Sequence, residues 1–230
     1  MNEAPYAGTD NLEVMKEAVN YNRFLLDLIE AHARPGERIV DFGAGVGTFA
    51  VAMQANGYAV ACVELDAAQR EILAAHGLQV HANLGEIRDA SVDFVYTFNV
   101  LEHIDDDVGA IRQIAGKLRP GGTLLIYVPA FPLLYTSMDR KVGHLRRYKR
   151  RDLGVKVAAA GLTIETSEYV DSLGFLATLA YRFAGSDAGD INRGALRLYD
   201  SLAFPLSRCT DRILKRVIGK NILMVASRPA

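Results

Sequence analysis

The stretch Ile39-Val40-Asp41-Phe42-Gly43-Ala44-Gly45-Val46-Gly47-Thr48 decides the fold. Ile39 and Val40 form a short β-branched run that reads as a buried strand, and the run ends in an acid, Asp41. Three glycines follow at alternate positions, and Phe49, Ala50, Val51 and Met53 then space out as the first turns of a helix. Glycine suits places where the backbone takes a left-handed φ or lies against a ligand with no Cβ between. The free N–H groups at the helix start attract electronegative atoms. Strand, glycine turn and helix therefore build a cradle for a nucleotide-type ligand.

Spacing and the acid narrow the ligand. The dinucleotide fingerprint G-x-G-x-x-G places its third glycine at a helix–strand contact. That position is Thr48 here, and the third glycine comes one residue early, at Gly47. The stretch reads D-x-G-x-G-x-G and resembles motif I of the class I S-adenosylmethionine (SAM)-dependent methyltransferases. The resemblance implies that Asp41 meets the ammonium group of SAM, partly through water. It also implies that Gly43, Ala44, Gly45 and Gly47 pass under the ribose and methionine portion. An ammonium group favours a neighbouring anion and a pyrophosphate does not, so Asp41 favours SAM over NAD.

A chain of 230 residues, half of them apolar, is long enough for one α/β domain with a substantial core. Cys62 and Cys209 sit in apolar patterns and read as core thiols of a reducing compartment. No leader pattern opens the chain and no apolar run reaches membrane-spanning length, so the expectation is a cytoplasmic protein with no integral membrane segment. The net charge of −1 hides a balance of −11 over residues 1–115 and +10 over residues 116–230. This permits an anionic substrate against the second half, and equally two solvated faces.

Taken in order, residues 2–10 read as a loose arm and residues 12–31 as an amphipathic helix stopped by Arg34-Pro35-Gly36. In methyltransferases of this type such a helix lies over the cofactor as part of a lid, which would bring Tyr21 and Arg23 to the methionine carboxylate. The alternative is a plain packing helix. A second buried strand, Ala59–Glu64, ends in an acid whose carboxylate can accept from both ribose hydroxyls, a need shared by SAM and NAD sites. Leu65 follows it as a further cofactor contact, and Asp66 is placed to cap a helix over 67–75. The third strand lies near Leu78–His81. The resemblance then puts Asn83 and Leu84 at the adenine, Asn83 standing where the family usually has Asp.

Val92–Phe98 is the fourth strand, and the run through Asn99-Val100-Leu101-Glu102-His103 resembles the D-x-V-x-x-x-x-V-L-E-H motif of the group that includes ubiquinone and small-molecule methyltransferases. Phe98 and Asn99 would line the transferred methyl, and His103 would prop the loop. Asp105-Asp106-Asp107 reads as the cap and acidic first turn of a helix over 107–118, with no further metal ligands evident in converging positions. Leu118-Arg119-Pro120-Gly121-Gly122 is a tight turn into strand 124–129.

Between Arg140 and Arg151 lie seven bases and no acid, within a segment similar to the D-x-x-x-G-H-x-R-R-Y run of a bacterial methyltransferase subgroup tied to cell-surface glycan or secondary-metabolite pathways. Tyr135, Asp139, Arg146 and Arg147 are the substrate-binding candidates, since Arg holds carboxylate or phosphate bidentately. His144 and Tyr148 are the catalytic candidates, with His144 as a base near neutral pH. The same residues also fit a solvated charged face in which Asp139 pairs with an arginine. Nothing elsewhere supplies a basic or aromatic array for nucleic acid.

Asp152 is expected to cap a helix to Ala160, before a strand at 162–165. An apolar helix over 172–184, a mobile 185–194 loop, helical segments at 196–206 and on through 213–218, and a last strand at 221–226 complete the chain. The helices at 172–218 read as a substrate cover, with an oligomer face or membrane contact as alternatives.

The expectation is a Rossmann-like α/β fold over residues 1–230: a seven-stranded, mostly parallel sheet with helices on both faces and an antiparallel last strand. Residues 1–35 would form a helical lid, 36–130 a cofactor-binding core, and 131–230 a substrate-side half. The resemblance implies methyl transfer from SAM, with S-adenosylhomocysteine as product, to an O or N atom of a small molecule, by a monomer or homodimer. A nicotinamide oxidoreductase and a non-catalytic SAM-binding regulator are the alternatives.

Overall fold

The computed structural model describes residues 14–184 and 189–230. The expected arm at 2–10, the start of the 12–31 helix and residues 185–188 of the expected loop lie outside the described residues. The chain forms α1 (Val19–His32), β1 (Ile39–Phe42), α2 (Thr48–Ala55), β2 (Val60–Val63), α3 (Ala67–Ala75), β3 (Gln79–His81) and β4 (Val92–Phe98). It continues through α4 (Asp107–Lys117), β5 (Leu118–Pro129), α5 (Ser137–Val142), α6 (Arg150–Ala159), β6 (Thr163–Val170) and α7 (Ser172–Ala184). Then come α8 (Arg193–Leu198), a π-helical turn (Tyr199–Ala203), α9 (Phe204–Leu214) and β7 (Asn221–Ser227).

The strands make a seven-stranded sheet in the order β3-β2-β1-β4-β5-β7-β6, parallel except that β7 runs against both β5 and β6. β1 stands where the order reverses: the chain steps outward through β2 and β3, then returns to pair β4 along the other side of β1. A crevice opens at the carboxyl edge of such a switch point. It brings the glycine turn after β1 beside the loop after β4.

The inner strands are apolar on both faces because helices cover both. Val40, Val95, Ile126 and Met224 pack with Ile111, Ile114, Leu153 and Val157 of α4 and α6. Ile39, Phe94, Leu125 and Val225 pack with Leu25, Ile29, Ala50, Met53 and Phe204 on the opposite side. Cys62 is buried in this second layer and Cys209 is exposed, both as free thiols.

Several boundaries differ from expectation. Within the described residues the first long helix starts at Val19, because Ala18 is non-helical (ψ 73°). Its start is capped across the molecule: Asp200 accepts from the backbone amides of Asn20 and Tyr21, each at 2.9 Å. Asp200 lies in the π-helical turn just before Pro205, whose missing N–H interrupts the α ladder. β5 begins at Leu118 rather than Leu124, since Leu118 pairs with Val92 and the Arg119–Gly122 turn bulges from the ladder. β6 runs on to Val170 because β7 supplies a partner along its length. Lys149, not Asp152, holds the N-cap position of α6, with no side-chain capping bond, and Asp152 falls in the first turn. No helix among the described residues is long and apolar enough to cross a membrane.

Candidate active site

The glycine turn is shaped by what crosses it. Gly43 has φ +80°, and a Cβ there would lie 2.4 Å from Cγ2 of Val100, in the loop after β4. The amides of Gly43 and Ala44 both donate to the Val63 carbonyl, fastening the turn to the end of β2. Gly47 has φ +83° and opens α2. Glu64 ties the two loops together, its carboxylate accepting from the amides of Gly45 (2.8 Å) and Asp66 (2.9 Å). Asp66 caps α3 as expected.

Asp41 is buried beneath this turn, and its Oδ2 accepts the Tyr96 hydroxyl at 2.9 Å. Burial pushes the Asp41 carboxyl up to about 7; the Tyr96 bond opposes the shift and Glu64 adds to it. A cationic group arriving here would meet a carboxylate poised to ionise.

Next to it, Asn99 follows β4 in a left-handed conformation (φ +54°), its amide donating to the Tyr127 carbonyl at 2.8 Å. Phe98 stacks edge-on against Phe49 (5.5 Å) and Tyr127 (5.7 Å). Tyr21 reaches the same cluster from α1, its ring 6.2 Å from that of Tyr127. Burial holds its hydroxyl well above the usual phenol range. Tyr21, Phe98 and Asn99 thus converge at the crevice. Arg23 does not, since it faces outward and pairs with Asp27.

Asn83 caps a short 3-10 turn, accepting from the Gly85 amide at 2.9 Å. Leu84 turns into the core beside Val63 and Val95. Leu65, 70% exposed after Glu64, is the apolar side chain left open at that edge.

The basic segment is more engaged than the substrate-clamp reading requires. Asp139 is 1% exposed and accepts from Nε (2.8 Å) and Nη2 (3.0 Å) of Arg147, the Thr136 amide (2.8 Å) and Nδ1 of His144 (2.7 Å). Burial pushes this carboxyl up, but the bonds from His144 and Arg147 outweigh it and hold it well below the usual range. Arg146 bonds the Asp105 carbonyl and pairs with Asp107. Tyr135 donates to the His144 carbonyl at 2.7 Å. Tyr148 is 3% exposed and donates to Asp107 and the Leu101 carbonyl, so burial and full hydrogen bonding exclude it from proton transfer to a substrate. Asp139 and Arg147 neutralise each other, which removes them as a free anion clamp. The arginine pairing expected of a charged face is present, but it is buried.

What this segment does is fix His144. The His144 amide donates to the Asp139 carbonyl at 2.8 Å, and the neighbouring Leu145 amide donates to the Glu102 carbonyl at 2.8 Å. With Nδ1 held by Asp139, Nε2 points toward Glu102 Oε1 at 3.7 Å, and the ring stands edge-on to His103 at 4.7 Å. Burial and the nearby His144 lower the His103 pKa to about 4, and burial raises Glu102 to about 8. The sequence reading had Glu102 and His103 in a motif and His144 in a separate loop; their meeting is a product of the fold.

A family model described as a methyltransferase domain matches residues 15–167. A ubiquinone biosynthesis O-methyltransferase of Xanthomonas campestris is 33% identical over 116 residues, 46% of this chain and 48% of that protein. A probable SAM-dependent methyltransferase of Mycolicibacterium smegmatis is 28% identical over 189 residues, 79% of this chain and 71% of that one. The matched region thus spans about half the length of the ubiquinone relative. Among solved structures, a SAM-dependent methyltransferase of Thermotoga maritima, described as a possible histamine N-methyltransferase, superposes with a TM-score of 0.64 at 15% identity. That superposition covers 96% of this chain and 95% of that one. A Haemonchus contortus phosphoethanolamine N-methyltransferase solved with SAM gives 0.60 at 19% identity, over 92% of this chain and 53% of that one. With the turn, the sheet order and these matches together, the chain belongs to the methyltransferase domain family.

Proposed function

We propose that this chain binds SAM at the β1–β4 crevice and transfers its methyl group to an oxygen or nitrogen of a small molecule. The observation that carries the reading is Asp41, a buried carboxylate under the D-x-G-x-G-x-G turn, with Glu64 fixed across from it by Gly45 and Asp66. Asp41 would meet the ammonium group, Glu64 the ribose hydroxyls, exposed Leu65 the adenine, and Tyr21, Phe98 and Asn99 the methionine and methyl end. Asn83, whose carbonyl oxygen accepts from Gly85 and whose amide donates to Glu86, would sit at the adenine.

In the reaction, an acceptor lone pair attacks the sulfonium methyl in line. The carbon–sulfur bond breaks as the new bond forms, sulfur keeps the electron pair, and S-adenosylhomocysteine leaves. The acceptor's proton passes to solvent. Positioning does most of the work, since the leaving group is already good. An anionic acceptor remains part of the proposal on the +10 balance of residues 116–230, not on Arg146 or Arg147. Residues 131–230 would supply the acceptor side of the crevice, in a specialised-metabolite or cell-surface pathway.

Calorimetric titration of SAM and S-adenosylhomocysteine into the wild type and Asp41→Ala tests the cofactor, with NAD as the contrasting ligand. Binding of SAM that is lost in the variant, with none of NAD, supports the reading. Binding of NAD alone overturns it.

A further inference from the structure

Glu102 is fully buried, yet among the described residues neither of its carboxylate oxygens has a hydrogen-bond partner. Buried polar groups are almost always paired, and an orphaned carboxylate is the costliest exception. Arg147 does not relieve it, because its guanidinium is committed to Asp139. Something else must satisfy those oxygens.

The neighbours show what. One ligand atom from each of Glu102, His103 and His144 lies within 4.8 Å of the other two, and Glu102 Oε1 is 3.7 Å from His144 Nε2. Tetrahedral bonds of about 2.1 Å place ligand atoms about 3.4 Å from one another. The outer support is also present. Asp139 holds the far nitrogen of His144 at 2.7 Å. Carboxylates and carbonyls behind imidazoles orient metal ligands in this way.

We propose that Glu102, His103 and His144 form a binding site for one divalent transition-series cation, represented by Zn2+. Two imidazoles and a single carboxylate suit such an ion, whereas Mg2+ and Ca2+ require oxygen ligands. The cation fills the valence of Glu102 and compensates its charge. Three protein ligands leave a coordination position open, as catalytic sites do and closed structural sites do not. The cluster follows Phe98 and Asn99 at the same sheet edge. An acceptor hydroxyl bound at the open position would lose its proton to solvent more readily. That last consequence rests on the proposed methyl transfer; metal binding itself does not.

The test is titration of Zn2+, in competition with a chromophoric chelator, into protein first stripped of metal and shown by circular dichroism to be folded. One equivalent is expected to bind tightly, with Mg2+ failing to compete. Glu102→Gln, which keeps the shape and removes the charge, and His144→Gln should each weaken binding by about 100-fold or more. His76→Gln, on the exposed end of α3, should leave it unchanged. Co2+ in the wild type reports the ligand set without any substitution, through an absorption spectrum of a low-coordinate nitrogen and oxygen site. Absence of Zn2+ binding overturns the proposal and assigns the orphaned oxygens to an ordered water. Binding that survives both cluster variants, or Mg2+ bound equally well, also overturns it. SAM titrated into the same samples keeps a failed metal site separate from a failed cofactor site.

Discussion

The Tyr96 hydroxyl donates to Oδ2 of Asp41 at 2.9 Å from the next strand of the sheet, with both side chains buried. The bond holds the carboxylate in place beneath the glycine turn without neutralising it. Burial still lifts Asp41 from 3.8 to about 7, so in the ligand-free protein the acid titrates near neutrality. Folding favours the protonated form, and this site costs stability increasingly as pH rises from 3.8 to about 7. Binding of a cationic ammonium runs the other way, because it needs the anion. SAM affinity should therefore rise severalfold from pH 6 toward pH 7.5 as one group near 7 ionises, and level off toward pH 8 as the ligand's own α-amino group, ordinarily near 8, loses its proton. Tyr96→Phe removes the bond that lowers the Asp41 pKa and should move the transition to higher pH. Calorimetry across that range checks both. A flat profile in the wild type would mean that Asp41 does not meet the ammonium.

Gly43 answers a steric demand as well as a conformational one. Its φ is +80°, and an added Cβ would sit 2.4 Å from Val100 Cγ2. Gly43→Ala should destabilise the protein by about 1–3 kcal/mol in urea unfolding, through strain and overpacking together. Adding Val100→Ala relieves the clash but not the backbone strain, so the double variant should recover only part of that loss beyond the cost of Val100→Ala alone. Full recovery would show that the left-handed conformation carries no cost of its own.

Asp139 and Arg147 form a buried pair on which the position of His144 depends. Removing one partner leaves the other charged and uncompensated, so Arg147→Ala should cost on the order of 3–5 kcal/mol. The acid limb carries a second signature. Asp139 titrates below its ordinary 3.8 in the folded state. Its stabilisation is complete above that value and is lost as pH falls through the lower folded one. The wild type should lose stability below about pH 4 more steeply than Asp139→Asn does. Denaturant midpoints measured from pH 2 to pH 7 separate the two.

The fold was legible because its signals are local. Asp41 with its glycines, Val92–Phe98 with Val100-Leu101-Glu102-His103, and Arg119-Pro120-Gly121-Gly122 each set a strand end through nearby residues, and the strand alternation came out as read. The crevice was legible where its lining comes from a strand end, as for Asp41, Glu64, Phe98 and Asn99, which the fold brings to the sheet edge. It was misleading in the basic segment. A run of Arg and Lys looks the same in sequence whether it faces solvent, an anion or a buried acid. Asp139 decides among these only once α5 has folded it inward. The meeting of His144 with Glu102 spans two loops, and no spacing rule reports it. Leu84 misled for a related reason: an apolar residue at a ligand edge can turn either way, and the core took it.

Asp200 links the two ends of the chain. Its carboxylate accepts from the amides of Asn20 and Tyr21, which have no cap of their own because Ala18 has no side-chain acceptor. A lost helix cap costs about 0.5–2 kcal/mol, and Asp200→Ala should fall in that range. The more informative effect is on Tyr21, which the cap holds against Tyr127. Freeing the first turn of α1 should raise hydrogen exchange at Asn20–Arg23 while leaving the β1 and β4 amides protected. If α1 forms one wall of the cofactor site, SAM binding should weaken in the same variant and Asp200→Asn should restore part of it, since the amide oxygen can still accept one bond. Faster exchange with undiminished SAM affinity would instead make α1 a packing helix that does not touch the cofactor.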